Sequence, residues 1–104
     1  GLGKESMFQK ASADEYADLL SEQERLRNNY NSYDVAPESS SITNTISSVI
    51  RYAGTKPREA HKLFSDAERL AKRYKVPEKR LWHIKAKLAN SYCSMENYLI
   101  NLNN

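Results

Sequence analysis

Residues 57–85, PREAHKLFSDAERLAKRYKVPEKRLWHIK, decide the fold because they carry the clearest amphipathic pattern of the chain. Between Ala60 and Tyr74 apolar residues recur at helical spacing, and charged residues lie between them. This pattern predicts a helix over 57–74, with Pro57 near its first position. The charged residues on the opposite side predict that one face of this helix lies in solvent.

A tight break at Lys75-Val76-Pro77 leads into a second predicted helix over 77–91. Trp82 lies beside the apolar stripe of this helix, where it is either a core side chain or a half-exposed interface anchor. The stripe consists of Leu81, Ile84 and Leu88. Two helices joined by so short a turn form a hairpin.

The sequence before this hairpin predicts a long helix over 4–31, a loop over 32–40 and a short helix over 41–52. No Gly or Pro interrupts the long helix, whereas Pro37 disfavours helical backbone in the loop. The apolar face of the short helix, expected in the core by default, consists of Ile42, Ile46, Val49 and Ile50.

Short polar segments provide the expected helix ends. The serines at 39–41 offer an N-cap to the helix over 41–52, Ala53-Gly54 a C-terminal stop, and Thr55-Lys56-Pro57 a cap to the next helix. A last helix is predicted over 94–102. We therefore predict an all-α fold, an α-solenoid fragment of about five helices stacked as hairpins over 41–102. We interpret chain 1–104 as a single helical fragment excised from a larger protein.

Composition argues against an enzyme. The 104 residues are 39% hydrophobic, enough for one modest core, and contain no nucleophile motif, P-loop or GxGxxG. The one cysteine, Cys93, excludes an internal disulfide framework, and His61 and His83 lack metal-ligand spacing. We therefore predict no catalytic residue, no cofactor and no metal site. Because no apolar run approaches the ~18 residues of a membrane span, we also expect no direct membrane insertion.

Charge is distributed unevenly along the chain. Residues 1–50 hold four Lys/Arg and eight Asp/Glu, whereas residues 51–90 hold twelve and four. The basic half is compatible with a nucleic-acid-binding helical module, a docking surface for an acidic protein, or a plain solvated face. The Val-Pro turn, and the lack of Asn or Gln early in the second hairpin helix, argue against base recognition in DNA.

The run VPEKRLWHIK, residues 76–85, resembles the C-terminal helical domain of the vacuolar protein sorting-associated protein 16 family. That family shows the pattern F/Y-x-[VI]-P-[DE]-K-R-[FL]-W-[WH]-[LI]-K, preceded by A-x-x-L, and residues 67–85 fit it. The segment SSSITNTISSVIRYAG, residues 39–54, is similar to the family's serine-led helix. The turn at 55–66 is longer than the family pattern, and SYCSMENYLIN follows the fourth helix. Both the core HOPS/CORVET subunit and its metazoan paralogue (VIPAR, the B-type or spermatogenesis-defective protein) therefore stay open.

The resemblance implies a binding role. In this family the domain is an α-solenoid that docks on an SM-family protein, the A- or B-type vacuolar protein sorting-associated protein 33, as a 1:1 heterodimer. It recruits that protein into a tethering complex that regulates SNARE-mediated membrane fusion. The implied location is cytoplasmic, peripheral on late endosomes, lysosomes or other endosomal vesicles, and no nucleic-acid partner is expected.

For this docking we predict a set of contact residues on the second and fourth helices. Arg80 and Lys79 are expected to make charge contacts, and Trp82 and His83 to form the anchor. The alternative for Arg80 is an intramolecular pair or a solvated charge on the helix face. A second group contributes if one side of the helix over 41–52 faces outward: Arg51, Tyr52, Ile46 and Ile50.

Overall fold

The computed structural model describes residues 11–87 of the chain, with side chains described as far as Lys85. This part contains four α-helices and, within these residues, no strand. The helices are α1 (Ala13–Tyr30), α2 (Ile42–Ala53), α3 (Ala60–Arg73) and α4 (Glu78–Lys87). The predicted all-α fold class is thereby confirmed. The helix expected over 94–102 lies outside the described residues, and the solenoid arrangement stays a prediction.

The chain divides into two compact units, residues 1–48 and residues 49–104, and the border falls within α2. The described part of the first unit holds α1, the loop that follows it and the beginning of α2. The second unit holds the end of α2, a short 3-10 turn at Pro57–Glu59, and then α3 and α4.

A capping box sets the start of α1 at Ala13. The backbone N–H of Glu15 donates to Ser12 Oγ at 3.2 Å, and the backbone N–H of Ser12 donates to Glu15 Oε1 at 3.0 Å. A continuous helix over 4–31 is therefore wrong at residues 11 and 12, and residues 4–10 lie outside the described part. At the other end, Asn31 adopts a left-handed conformation with φ of 51°. Its side chain makes it one of the few non-glycine residues suited to that cap.

Buried polar groups hold the loop of the first unit against α1. Gln23, with no exposed surface, donates from Nε2 to the Ser39 carbonyl and to Thr45 Oγ1, both at 2.9 Å. Arg27 Nη1 donates to the Ala36 carbonyl at 2.6 Å, and its guanidinium lies 5.6 Å from the centroid of the Tyr33 ring. These bonds satisfy loop carbonyls that burial would otherwise leave without a donor.

The N-terminus of α2 is capped by the serine run, as predicted. The backbone N–H of Asn44 donates to Ser41 Oγ at 3.1 Å, so Ser41 is the N-cap residue. The predicted apolar face of α2 is buried, and none of its four members is more than 2% exposed. Those members are Ile42, Ile46, Val49 and Ile50.

The connection between α2 and α3 differs from the expectation. Thr55 does not cap the following helix, because its Oγ1 donates back to the Tyr52 carbonyl at 2.8 Å and closes the end of α2. No described glycine has a positive φ, so Gly54 does not end α2 by a left-handed turn. Pro57–Glu59 forms a 3-10 turn without a side-chain cap, and the α-helix proper begins at Ala60.

The turn between α3 and α4 is a Schellman motif built on a lysine. Val76 N–H donates to the Ala71 carbonyl at 2.7 Å, and Lys75 N–H donates to the Lys72 carbonyl at 3.2 Å. Lys75 has φ of 57°, where glycine is the usual residue. Pro77 follows, and its carbonyl accepts the first backbone bonds of α4. A fixed, short turn thus positions α4 after α3.

A Lys75→Gly variant is expected to be more stable than the parent chain by about 1 kcal/mol. A side chain with a Cβ costs about 1–2 kcal/mol in the left-handed region, whereas glycine lacks this cost but loses more backbone entropy on folding. The measurement is the free energy of unfolding in denaturant. Lys75→Ala is the matched control, since it removes the same charge but keeps the Cβ, and it should gain little. Equal gains in both variants would assign the effect to charge.

Candidate partner-binding surface

The solvent-facing side of α4 carries an exposed tryptophan. Leu81 and Ile84 turn inward and are 8% and 6% exposed, whereas Trp82 keeps 59% of its surface exposed. Lys79 and His83 are also exposed. Lys79 precedes Trp82 by three residues and His83 by four, so all three side chains lie on the same side of the helix. Of the two alternatives for Trp82, the core position is therefore wrong.

A lysine on α4 fixes the position of the indole. Lys85 Nζ lies 5.0 Å from the centroid of the Trp82 ring and 3.7 Å from Glu68 Oε1 on α3. The Lys85 side chain is only 13% exposed, so the cation–π contact is partly shielded from water. The result is an exposed aromatic side chain held in place by a charge that is itself tied to α3.

Arg80 and Trp82 do not lie side by side, although they are two residues apart. At 3.6 residues per turn their side chains leave the helix axis about 160° apart, with Lys79 between them. Arg80 is half-buried, at the edge of the inward side. The two side chains thus mark opposite edges of one exposed arc, and each would contact a different part of a bound protein.

Two cations in the first turn of α4 oppose the helix dipole. Glu78 occupies the first helical position and is favourable there, but Lys79 and Arg80 occupy the next two. The N-terminal end of a helix carries partial positive charge, so cations at these positions destabilise it slightly. Residues that destabilise their own helix indicate a function other than folding, and here those residues are Lys79 and Arg80.

The candidates on α2 fall into two groups. Arg51 is exposed, and Tyr52 is half-buried with Lys56 Nζ 5.9 Å from its ring centroid. Ile46 and Ile50 are 0% and 2% exposed, so the condition under which they would contact a partner is not met. We correct both isoleucines to core positions, because the apolar face of α2 turns inward.

Within residues 11–87, no group of three or more His, Cys, Asp or Glu side chains is arranged to hold a metal ion. In the same range, none of the helices combines the length and the apolar composition needed to cross a bilayer.

Comparison with known proteins adds one match. The family model described as "Vps16, C-terminal region" matches residues 2–98 of the chain. No curated protein and no solved structure matches it.

Proposed function

The chain belongs to the Vps16 C-terminal family, and from this membership we propose that it is a non-catalytic adaptor that binds an SM-family protein through α4. The family supplies tethering-complex subunits that act in vesicle trafficking, peripherally at endosomal and vacuolar membranes. In this proposal the chain recruits the A- or B-type vacuolar protein sorting-associated protein 33 into such a complex at late endosomes or lysosomes. SNARE assembly is the step regulated.

The exposed side of α4 is the observation that supports this assignment most directly. Trp82 is an exposed large aromatic residue with cationic neighbours, and Trp and Arg are the residues most enriched among binding hot spots. Lys79, His83 and the half-buried Arg80 lie around it on one helix. We refer to these four residues as the α4 surface.

The charge of the α4 surface defines the partner chemistry. Lys79 and Arg80 are cations in a helix turn where they do not help folding, so a carboxylate on the partner would compensate both. The guanidinium suits a bidentate contact, whereas Lys79 offers a point charge. Lys85 already covers the Trp82 ring, so the partner is expected to offer an apolar pocket to the uncovered part of the indole.

Co-expression with the A-type and the B-type SM-family protein in parallel tests the proposal. Size-exclusion chromatography with light scattering should show a 1:1 complex with one of them. A complex with the B-type alone would assign the chain to the paralogue, and a complex with the A-type alone to the core subunit. A folded, monomeric chain that binds neither would overturn the adaptor function.

A Trp82→Ala variant is expected to bind the SM-family protein about thirty-fold more weakly or worse, because a central tryptophan anchor contributes 2 kcal/mol or more. Isothermal titration calorimetry of the purified proteins gives the comparison. Folding should be unaffected, since 59% of the side chain is exposed.

Tyr33→Ala provides the matched control for this measurement. Tyr33 is 61% exposed, about as much as Trp82, but lies in the loop of the first unit. The Tyr33→Ala variant should bind the SM-family protein with the same dissociation constant as the parent chain. If both aromatic truncations weaken binding equally, Trp82 is not a specific anchor.

A further inference from the structure

We propose that the outward face of α3 binds the anionic lipid surface of a membrane by electrostatic attraction, without insertion. This inference uses a different surface from the α4 surface and does not depend on the identity of the SM-family partner. The face, called the cationic face below, has four members on α3 and one in the preceding 3-10 turn. They are Arg58, Lys62, Arg69, Lys72 and Arg73.

The cationic face lies opposite the buried stripe of α3. Its four helical members fall within an arc of about 100° when projected at 3.6 residues per turn. Four of the five side chains are exposed, and the side chain of Arg69 keeps 40% of its surface in solvent. The buried stripe on the other side consists of Ala60, Leu63, Ala67, Leu70 and Ala71.

The acidic residues of α3 lie at the two edges of the cationic face, and each pairs with a cation. Asp66 Oδ1 is 3.8 Å from Arg69 Nη2 on one edge. Glu68 Oε1 is 3.7 Å from Lys85 Nζ on the other edge, the side on which α4 lies. Between these two edges α3 carries no acidic residue.

The composition of this face favours a lipid surface over a protein. Protein interfaces are organised around buried aromatic or apolar anchors, but His61 and Ser65 are the only other residues between the two acidic edges. Phe64, the one phenylalanine of the helix, is half-buried beside the stripe. A row of cations without an anchor suits a diffuse sheet of negative headgroups.

The cellular location of the family agrees with binding to a membrane. The family acts peripherally at endosomal and vacuolar membranes. Each basic residue near an anionic bilayer raises the partition coefficient by about five-fold, so five of them give measurable, salt-sensitive attachment. Because screening shortens the reach of these charges, binding should fall steeply as ionic strength rises.

Vesicle co-flotation of the whole chain provides the test. The probe is a phosphatidylcholine vesicle with or without phosphatidylserine, at low and at physiological salt. The parent chain should float only with the phosphatidylserine vesicles. The double variant Lys62→Gln/Lys72→Gln is expected to partition about 25-fold more weakly, since two cations are lost.

A charge-matched control separates the cationic face from the general basicity of the unit. Lys56→Gln/Lys79→Gln removes the same two charges from exposed positions outside the face. It should keep most of the vesicle binding while weakening SM-protein binding. The Lys62→Gln/Lys72→Gln variant should instead lose vesicle binding and keep SM-protein binding. Either proposal can therefore fail without affecting the test of the other.

Several outcomes would overturn the lipid assignment. One is an equal loss of vesicle binding in the two double variants, and another is binding that persists in high salt or with phosphatidylcholine alone. A third is retention on duplex DNA with a strong salt dependence but no flotation, which would assign the cationic face to nucleic acid instead.

Discussion

An Arg80→Glu variant is expected to lose binding to the SM-family protein by about 100-fold or more while keeping its helical circular dichroism. Removing one partner of a buried charged hydrogen bond costs about 2–5 kcal/mol, and reversing the charge adds repulsion from the partner carboxylate. Among the described residues, no ion pair or hydrogen bond of the Arg80 side chain is found, so nothing there supports the alternative of an intramolecular pair. Within this part of the chain, no carboxylate competes with the bound protein for the guanidinium.

The helix dipole makes this substitution especially informative. Arg80 occupies the third helical position of α4, where a glutamate is more favourable than an arginine. The variant should therefore unfold at the same or a slightly higher denaturant concentration. A loss of binding together with unchanged stability can only come from the interface. Unchanged affinity would remove Arg80 from the docking surface.

Arg73→Glu controls for reversing a charge in the same unit. Arg73 is exposed on the outward side of α3, in the last turn of that helix. Its reversal should lower vesicle binding but leave the SM-protein affinity within a few-fold of the parent. Circular dichroism and calorimetry on the three proteins provide the comparison.

The buried faces of α2 and α3 were predictable from sequence because one apolar pattern set each of them. In α2 and α3 the predicted stripes are buried, since no other arrangement hides so many aliphatic side chains at helical spacing. Phe64 is the exception in α3, because it belongs to the predicted apolar pattern but is only half-buried, beside the buried stripe. The N-cap at Ser41 could also be predicted, because a short polar side chain directly before an apolar run is typical of an N-cap.

Features that depend on tertiary contacts were not predictable. The left-handed backbone of Lys75 could not be predicted from its residue type, because lysine has no preference for that conformation. The turn between two packed helices imposes it. Trp82 is next to the apolar stripe, and only the direction of α4 decides whether it points inward or outward. Ser12 and Glu15 did show the capping-box spacing, so this signal could have located the start of α1.

A Gln23→Leu variant is expected to destabilise the chain by about 2–4 kcal/mol, although leucine is an apolar residue of similar size. Gln23 lies mid-helix among charged residues, and nothing in the sequence distinguishes it from a solvated side chain. In the structure it has no exposed surface and donates both amide hydrogens. Leucine leaves the Ser39 carbonyl and Thr45 Oγ1 without these donors, and a buried acceptor without a donor costs about 1–3 kcal/mol.

The partners of Gln23 explain why the effect should be concentrated in the first unit. The Ser39 N–H also faces Gln23 Oε1, at a long 3.4 Å, so the amide contacts both polar groups of one loop peptide segment. Thr45 Oγ1 in turn donates to the Ser41 carbonyl at 3.0 Å, at the start of α2. Loss of the amide should therefore release the loop from α1 and loosen the first turn of α2. Hydrogen exchange should increase at residues 39–45 before it increases in α3.

Thermal and denaturant unfolding measure this effect, with Glu24→Leu as the control one position away on the same helix. Glu24 is exposed, so its replacement should change stability by less than about 0.5 kcal/mol. Gln23→Leu should lower the midpoint of thermal unfolding by about 10–25 °C for a chain of this size. A Gln23→Leu/Thr45→Val double variant should cost less than the sum of its parts, because valine removes one of the acceptors that leucine leaves without a donor. Additive losses, or a Gln23→Leu variant as stable as the control, would show that the buried amide does not hold the loop to α1.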